Sequence, residues 1–309
     1  MLKRDKFAKD KEAWCNLNKP DLSEKEVDIV VFGIPFDGGV SYRSGAADGP
    51  LVLRENTFTS TPYTEHFECM DQLKVYDAGD FKDVNRDTLF KEVEDYVCEL
   101  VKNNIFFTAV GGDHSVTIPI EAGIDKALDE EFGIIHIDAH FDMCDSLNGD
   151  PLSHGSVQRR ALELKNIKGT ENIFFVGIRS IEPDEFAFKE KNAMRVQSSY
   201  SCHKLGIEKI AYEVAEKMSK YSKVYITLDI DCLDPGFAPG TGTPQFGGLY
   251  SRQVLELMEI LFEKLNIIAF DVVEVAPSLD PSLTSMFAAR RIITESWGHF
   301  ARKIGKLRG

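Results

Sequence analysis

Apolar runs of strand length recur along the chain, at 28–34, 73–79, 104–110, 133–139, 172–178, 223–230 and 267–275. Most are separated by stretches with helical period. Leu89, Val93, Tyr96, Val97 and Leu100 form one apolar stripe over 86–102. Ile207, Ile210, Ala211, Val214 and Met218 do the same over 207–219. Val254, Leu257, Met258, Leu261 and Leu265 repeat the pattern, and 283–303 carries it around Met286, Ala289, Ile293, Trp297 and Phe300. Shorter helices are expected after Pro50 and Ser115. Strands alternating with helices predict βαβ units with right-handed crossovers, and so a parallel sheet covered on both faces. The fold class is α/β. Residues 28–309 read as one domain, and 1–27 as an N-terminal arm assigned by elimination.

Several polar groups interrupt this pattern at strand ends. GGDHS follows 104–110, DAHFD closes 133–139, DIDCLDP closes 223–230, and Glu274 closes 267–275. In a parallel sheet the carboxyl ends lie along one edge, where ligands bind. The motifs are therefore expected to meet. In IIHIDAHFD, His136, Asp138, His140 and Asp142 occupy every second position. If the strand persists they share one face, which is costly in an interior unless something pairs them.

Composition narrows the setting. The chain has 309 residues, 43% hydrophobic and 28% charged, as in ordinary globular proteins. A net charge of −14 lacks the basic footprint of a nucleic-acid binder. No apolar run approaches the ~20 residues of a membrane span, so no membrane association is expected. The charged N-terminus is not a signal peptide. The six cysteines are scattered without a Cys-x-x-Cys, as suits free thiols in a reducing cytoplasm. A cytoplasmic location follows as an expectation.

His114, Asp138, His140, Asp142, Asp229 and Asp231 supply two imidazoles and four carboxylates. Without cations, like charges would oppose one another at close range. The set exceeds what one zinc needs. Two divalent ions sharing carboxylates fit better, and the oxygen-rich donors favour manganese, Mn2+, two per chain. Asp234, before Pro235, reads as a helix N-cap.

These motifs carry a resemblance. GGDHS, IHIDAHFD, SHG, LDIDCLDPGFAPGTGTPQFGG and DVVEVAP resemble the ureohydrolase (arginase and agmatinase) family, in order from about residue 28 to 300. GIPFDGGVSYRSGAADGP and DVVEVAPSLD are most similar to the agmatinase branch. The resemblance implies a three-layer α/β/α fold around a parallel eight-stranded sheet, with a dinuclear manganese site. It places His114, Asp138, Asp142 and Asp229 on one ion, and His140, Asp138, Asp229 and Asp231 on the other. It implies attack on a guanidinium carbon and release of urea and an amine. Asp142 would pass a proton to the leaving amine, His154 would shuttle protons to solvent, and Glu274 would clamp the guanidinium. Charge agrees: four carboxylates neutralise two divalent ions, and Glu274 then makes the pocket receptive to a small guanidino cation. The family also implies a homo-oligomer, a trimer or hexamer.

The substrate is less determined. Arginases carry a Ser-Gly-Asn triplet before the shuttle histidine; here the position reads PLSHG. Asp145, Asp150 and Glu182 are candidate partners for an amine tail. Agmatine, giving putrescine and urea, is the expected substrate. Guanidinobutyrate, guanidinopropionate and arginine are the alternatives, with a metal-dependent deacetylase or a non-catalytic homologue as rival classes. Phe141 stands where agmatinases usually have Thr, and is expected to reshape the pocket rim. Ser156 replaces the Thr of the common SHGT. His136 has no ligand role in this reading and is expected to be a hydrogen-bonded core histidine.

Overall fold

The computed structural model describes residues 2–83 and 85–309. The strands are β1 (Leu2–Lys3), β2 (Ile29–Ile34), β3 (Val75–Phe81), β4 (Phe106–Gly111), β5 (Gly133–Ile137), β6 (Ile173–Ile178), β7 (Arg195–Ser198), β8 (Val224–Asp229) and β9 (Ile267–Val273). They form one sheet in the order β1-β3-β2-β4-β9-β8-β5-β6-β7. Strands β2 to β9 pair in parallel throughout. The count differs from the expected eight, because β1 adds a ninth, antiparallel strand on the β3 edge. Periodicity did not reveal β7. Its sequence, RVQS, is half-buried at the opposite edge and has no apolar run.

Alternate side chains of each strand serve opposite cores, as the pleat requires. Ile29 and Val31 face one, with Ile135 and Ile137; Val30, Phe32 and Ile34 face the other, with Ile134. The first core is closed by helices Ile207–Met218, Ser251–Lys264 and Thr284–Lys303. The second is closed by Arg86–Lys102 and Thr117–Ala127. Three layers result, and the stripes read from the sequence are the faces that meet the sheet.

The segment read as an arm is packed into this body. Trp14 is fully buried, its ring 5.2 Å from that of Trp297. Its Nε1 donates to Asp77 Oδ2 at 2.6 Å, and buried Arg54 donates to the same carboxylate at 2.7 Å. Trp14 sits in a short apolar group with Ala13, Cys15 and Leu17 after a charged run, too short for a period to mark it. The first position of the arm lies outside the described residues. Among the described residues, no helix is long and apolar enough to cross a membrane.

Candidate active site

Strand β5 stops at Ile137, and Asp138 turns the chain: its Oδ1 accepts from His140 N at 2.6 Å. Ala139 N donates to Asp231 Oδ1 at 3.1 Å, which joins this turn to the one after β8. There Asp229 Oδ1 accepts from Asp231 N at 2.7 Å. Behind β4, Gly112 passes so close to the 36 backbone that a Cβ would lie 1.7 Å from the Phe36 carbonyl oxygen. The glycine is thus required by close approach. Asp142 and Glu274 adopt left-handed backbone conformations, φ 53° and 62°. Strain of this kind concentrates at functional positions.

These turns bring the six predicted ligands together. His114 Nδ1 lies 3.0 Å from Asp138 Oδ2, 3.0 Å from Asp142 Oδ2 and 3.4 Å from Asp229 Oδ2. His140 Nδ1 lies 3.1 Å from Asp231 Oδ2 and 3.5 Å from Asp138 Oδ1. Asp138 thus turns one oxygen to each half. Despite the short separations, His114 Nδ1 and Asp138 Oδ2 are buried without a hydrogen bond. Donor atoms that converge without bonding one another fit a cation between them. Within this cluster the groups that could hold one are His114, His136, Asp138 and Asp142, and Asp138, His140 and Asp231.

Electrostatics points the same way. Burial pushes the Asp229 carboxyl well up, and the negative charges of Asp231 and Asp138 push it further. Asp231 is raised chiefly by burial. Burial opposes a charge on His140, but Asp231 and Asp138 outweigh it and raise the imidazole to about 12. A cluster held in this way by protons is one that divalent cations can take over by displacing them.

His136 stacks on His114, centroids 5.1 Å apart and planes 7° apart. Its Nε2 lies 3.1 Å from the His140 carbonyl oxygen and also 3.1 Å from Asp138 Oδ2. His114 Nε2 meets Thr227 Oγ1 at 2.8 Å, which aims Nδ1 at the cluster.

Above the cluster is a cavity of about 160 Å³. Of the predicted residues, His140, Asp142, His154, Glu182 and Asp229 line it. Glu274 does not: it is buried, and its Oε1 lies 2.9 Å from His154 Nδ1 and accepts from His114 N at 3.0 Å. Burial lowers the His154 imidazole, but the hydrogen bond and charge of Glu274 prevail and raise it to about 9.

Asp145 and Asp150 are corrections to the sequence reading, for neither lines the cavity. Arg160 donates to Asp145 Oδ1 at 3.0 Å, and Arg86 pairs with Asp150. The stretch between Asp142 and His154 has no basic residue of its own, but these arginines arrive from other elements. Asp234 is no helix cap; its carboxylate accepts from Gly236, Gly247 and Gly248 N and pins a loop. Phe141 does not form the rim. It is buried in the core, 5.3 Å from the ring of Phe175.

Sequence reasoning missed Ser41, Cys144 and Glu185 in the cavity wall. Glu185 Oε1 accepts from Met143 N and Oε2 from Glu182 N, each at 2.8 Å. Burial raises this carboxyl to about 7. The available signal was its place three residues after Glu182, a capping box for helix Pro183–Lys191.

A sequence model of the Arginase family matches residues 27–297. The chain is 34% identical to an agmatinase of Bacillus anthracis over 90% of its length and 93% of that protein. It is 32% identical to a guanidinobutyrase of Pseudomonas aeruginosa, over 87% of this chain and 85% of the other. The solved structure of proclavaminate amidino hydrolase from Streptomyces clavuligerus superimposes with a TM-score of 0.82 at 30% identity, covering 94% of this chain and 97% of that one. With the strand-end cluster and the three-layer fold, these matches establish that the chain belongs to the arginase family, the ureohydrolases.

Proposed function

We propose that the protein hydrolyses agmatine to putrescine and urea, using two manganese ions per chain. The observation that carries the substrate is the charge of the cavity wall. Asp142, Glu182, Glu185 and Asp229 line it, and no lysine or arginine does among the described residues. A guanidino acid would find no lysine or arginine for its carboxylate, whereas an amine tail finds Glu182 and Glu185. The agmatinase names among the relatives support this reading, and the guanidinobutyrase name is its competitor.

His114, Asp138, Asp142 and Asp229 would hold one ion; His140, Asp138, Asp229 and Asp231 would hold the other. Bound there, divalent ions supply Lewis-acid activation of a water near neutral pH. The chain's own residues do the rest. Glu274 pairs with the guanidinium and fixes the orientation of its carbon. To do so it exchanges the hydrogen bond it now makes with His154 for one to substrate. Asp142 holds the proton that the leaving amine takes. His154, at the cavity wall, carries protons between the site and solvent. A cytoplasmic enzyme that assembles as a trimer or hexamer completes the proposal.

The test is steady-state urea release in Mn2+ from agmatine, arginine, 4-guanidinobutyrate and 3-guanidinopropionate. Agmatine should have the highest kcat/KM. A guanidino acid that beats it overturns the substrate assignment.

A further inference from the structure

His154 is held from two sides. Toward the interior, Nδ1 faces Glu274 Oε1 at 2.9 Å. Toward solvent, Nε2 receives Ser41 N at 3.0 Å and meets Ser41 Oγ at 2.8 Å. A backbone N–H can only donate, so Nε2 must offer its lone pair to it. That places the proton of the neutral ring on Nδ1, facing Glu274. The segment carrying Ser41 is itself anchored: His154 N donates to Gly39 O at 3.0 Å, and Gly39 N donates to Asp113 Oδ2 at 2.7 Å. Ser41 is exposed and lines the cavity wall, whereas His154 is buried. The charged groups around the ring are Glu274 in contact, and Asp142 and Asp113 through space.

We infer that Ser41 is a positioning residue for the reaction: its amide fixes the His154 tautomer, and its hydroxyl connects the ring to solvent. This rests on the ureohydrolase reading of the site. Hydrolysis of a guanidinium produces an amine that takes up a proton, and the next water must lose one. In the first transfer, Nδ1–H passes inward as Nε2 takes the Ser41 hydroxyl proton, which solvent replaces. In the second, the proton from the incoming water enters at Nδ1 while Nε2–H leaves through the same hydroxyl to a solvent base. One proton enters and one leaves. Only N–H and O–H bonds change, and the ring returns to the tautomer that the Ser41 amide favours.

The experiment compares wild type, Ser41→Ala and Ser41→Thr with agmatine in Mn2+. Ser41→Ala removes the hydroxyl and keeps the amide. Its kcat should fall about 10-fold, with KM within about twofold of wild type. Its rate should rise with buffer concentration as buffer substitutes for the lost outlet. Ser41→Thr should restore kcat and remove the buffer dependence. A raised KM or lowered Tm in Ser41→Ala with no buffer dependence means a structural role and overturns the inference, as does an unchanged kcat. A second readout needs no turnover: ¹⁵N shifts of the His154 ring, assigned with His154→Asn. The neutral ring should carry its proton on Nδ1, and a proton on Nε2 overturns the inference. Wild type inert on every guanidino substrate would instead refute the reaction reading, and the ring shifts would still decide the tautomer.

Discussion

Asp138 Oδ2 lies 3.0 Å from His114 Nδ1, and neither buried atom makes a hydrogen bond. Nearness without bonding is a geometry that a shared cation would fit. Asp138→Asn should therefore release metal and abolish most urea production. Metal content per chain, measured after gel filtration, checks this directly. Chelation of the native protein should lower its Tm, because the ions bind the folded state alone. Two retained ions and a full rate in Asp138→Asn would remove this residue from the ligand set.

Glu274 is buried against His154 rather than facing the cavity. If it clamps the guanidinium, Glu274→Gln loses a charge-assisted pair and kcat/KM should fall on the order of 100-fold. His154→Ala should keep both metals and lower kcat by about 100-fold or more. Urea kinetics beside metal analysis separates these effects. A Glu274→Gln enzyme with native kcat/KM would exclude the clamp.

Phe141 packs on Phe175 at 5.3 Å within the core. Phe141→Ala should cost about 3–5 kcal/mol in denaturant unfolding, the usual result of emptying such a site. The ranking of the guanidino substrates should not change. A new preference among them would mean that the side chain does reach the pocket.

The Glu185 carboxyl is raised by burial to about 7. If it receives the amine tail, KM for agmatine should fall as pH rises from 6 to 8, and Glu185→Gln should flatten that slope. Stability runs the other way. A folded-state pKa above the unfolded one contributes stability that is complete below the unfolded value and is lost as pH rises through the folded one. Here the window is 4.5 to about 7. Across it, the stability of wild type relative to Glu185→Gln should drop by on the order of 2–3 kcal/mol. Unfolding curves at pH 4.5 and 8 test it; a constant difference would show that Glu185 titrates normally.

The sequence by itself determined the layers and the cluster. Alternating strand and helix periods are local properties, so seven strands and the main helices could be read from their apolar spacing. Ligands placed at strand ends become neighbours whenever the sheet is parallel, so His114, Asp138, His140, Asp142, Asp229 and Asp231 could be grouped without coordinates. Tertiary structure decided what each remaining acid faces. Asp145 and Asp150 look free in sequence, but Arg160 and Arg86 come from elsewhere to neutralise them. Glu185, unnoticed beside Glu182, is a cavity-wall acid that burial raises to about 7. Phe141, between His140 and Asp142 in the chain, packs on Phe175 in the core and does not line the cavity. Ser41 is 113 residues from His154 and shares no motif with it. Pairing across such distances depends on how loops cross over the sheet edge, which no local period encodes.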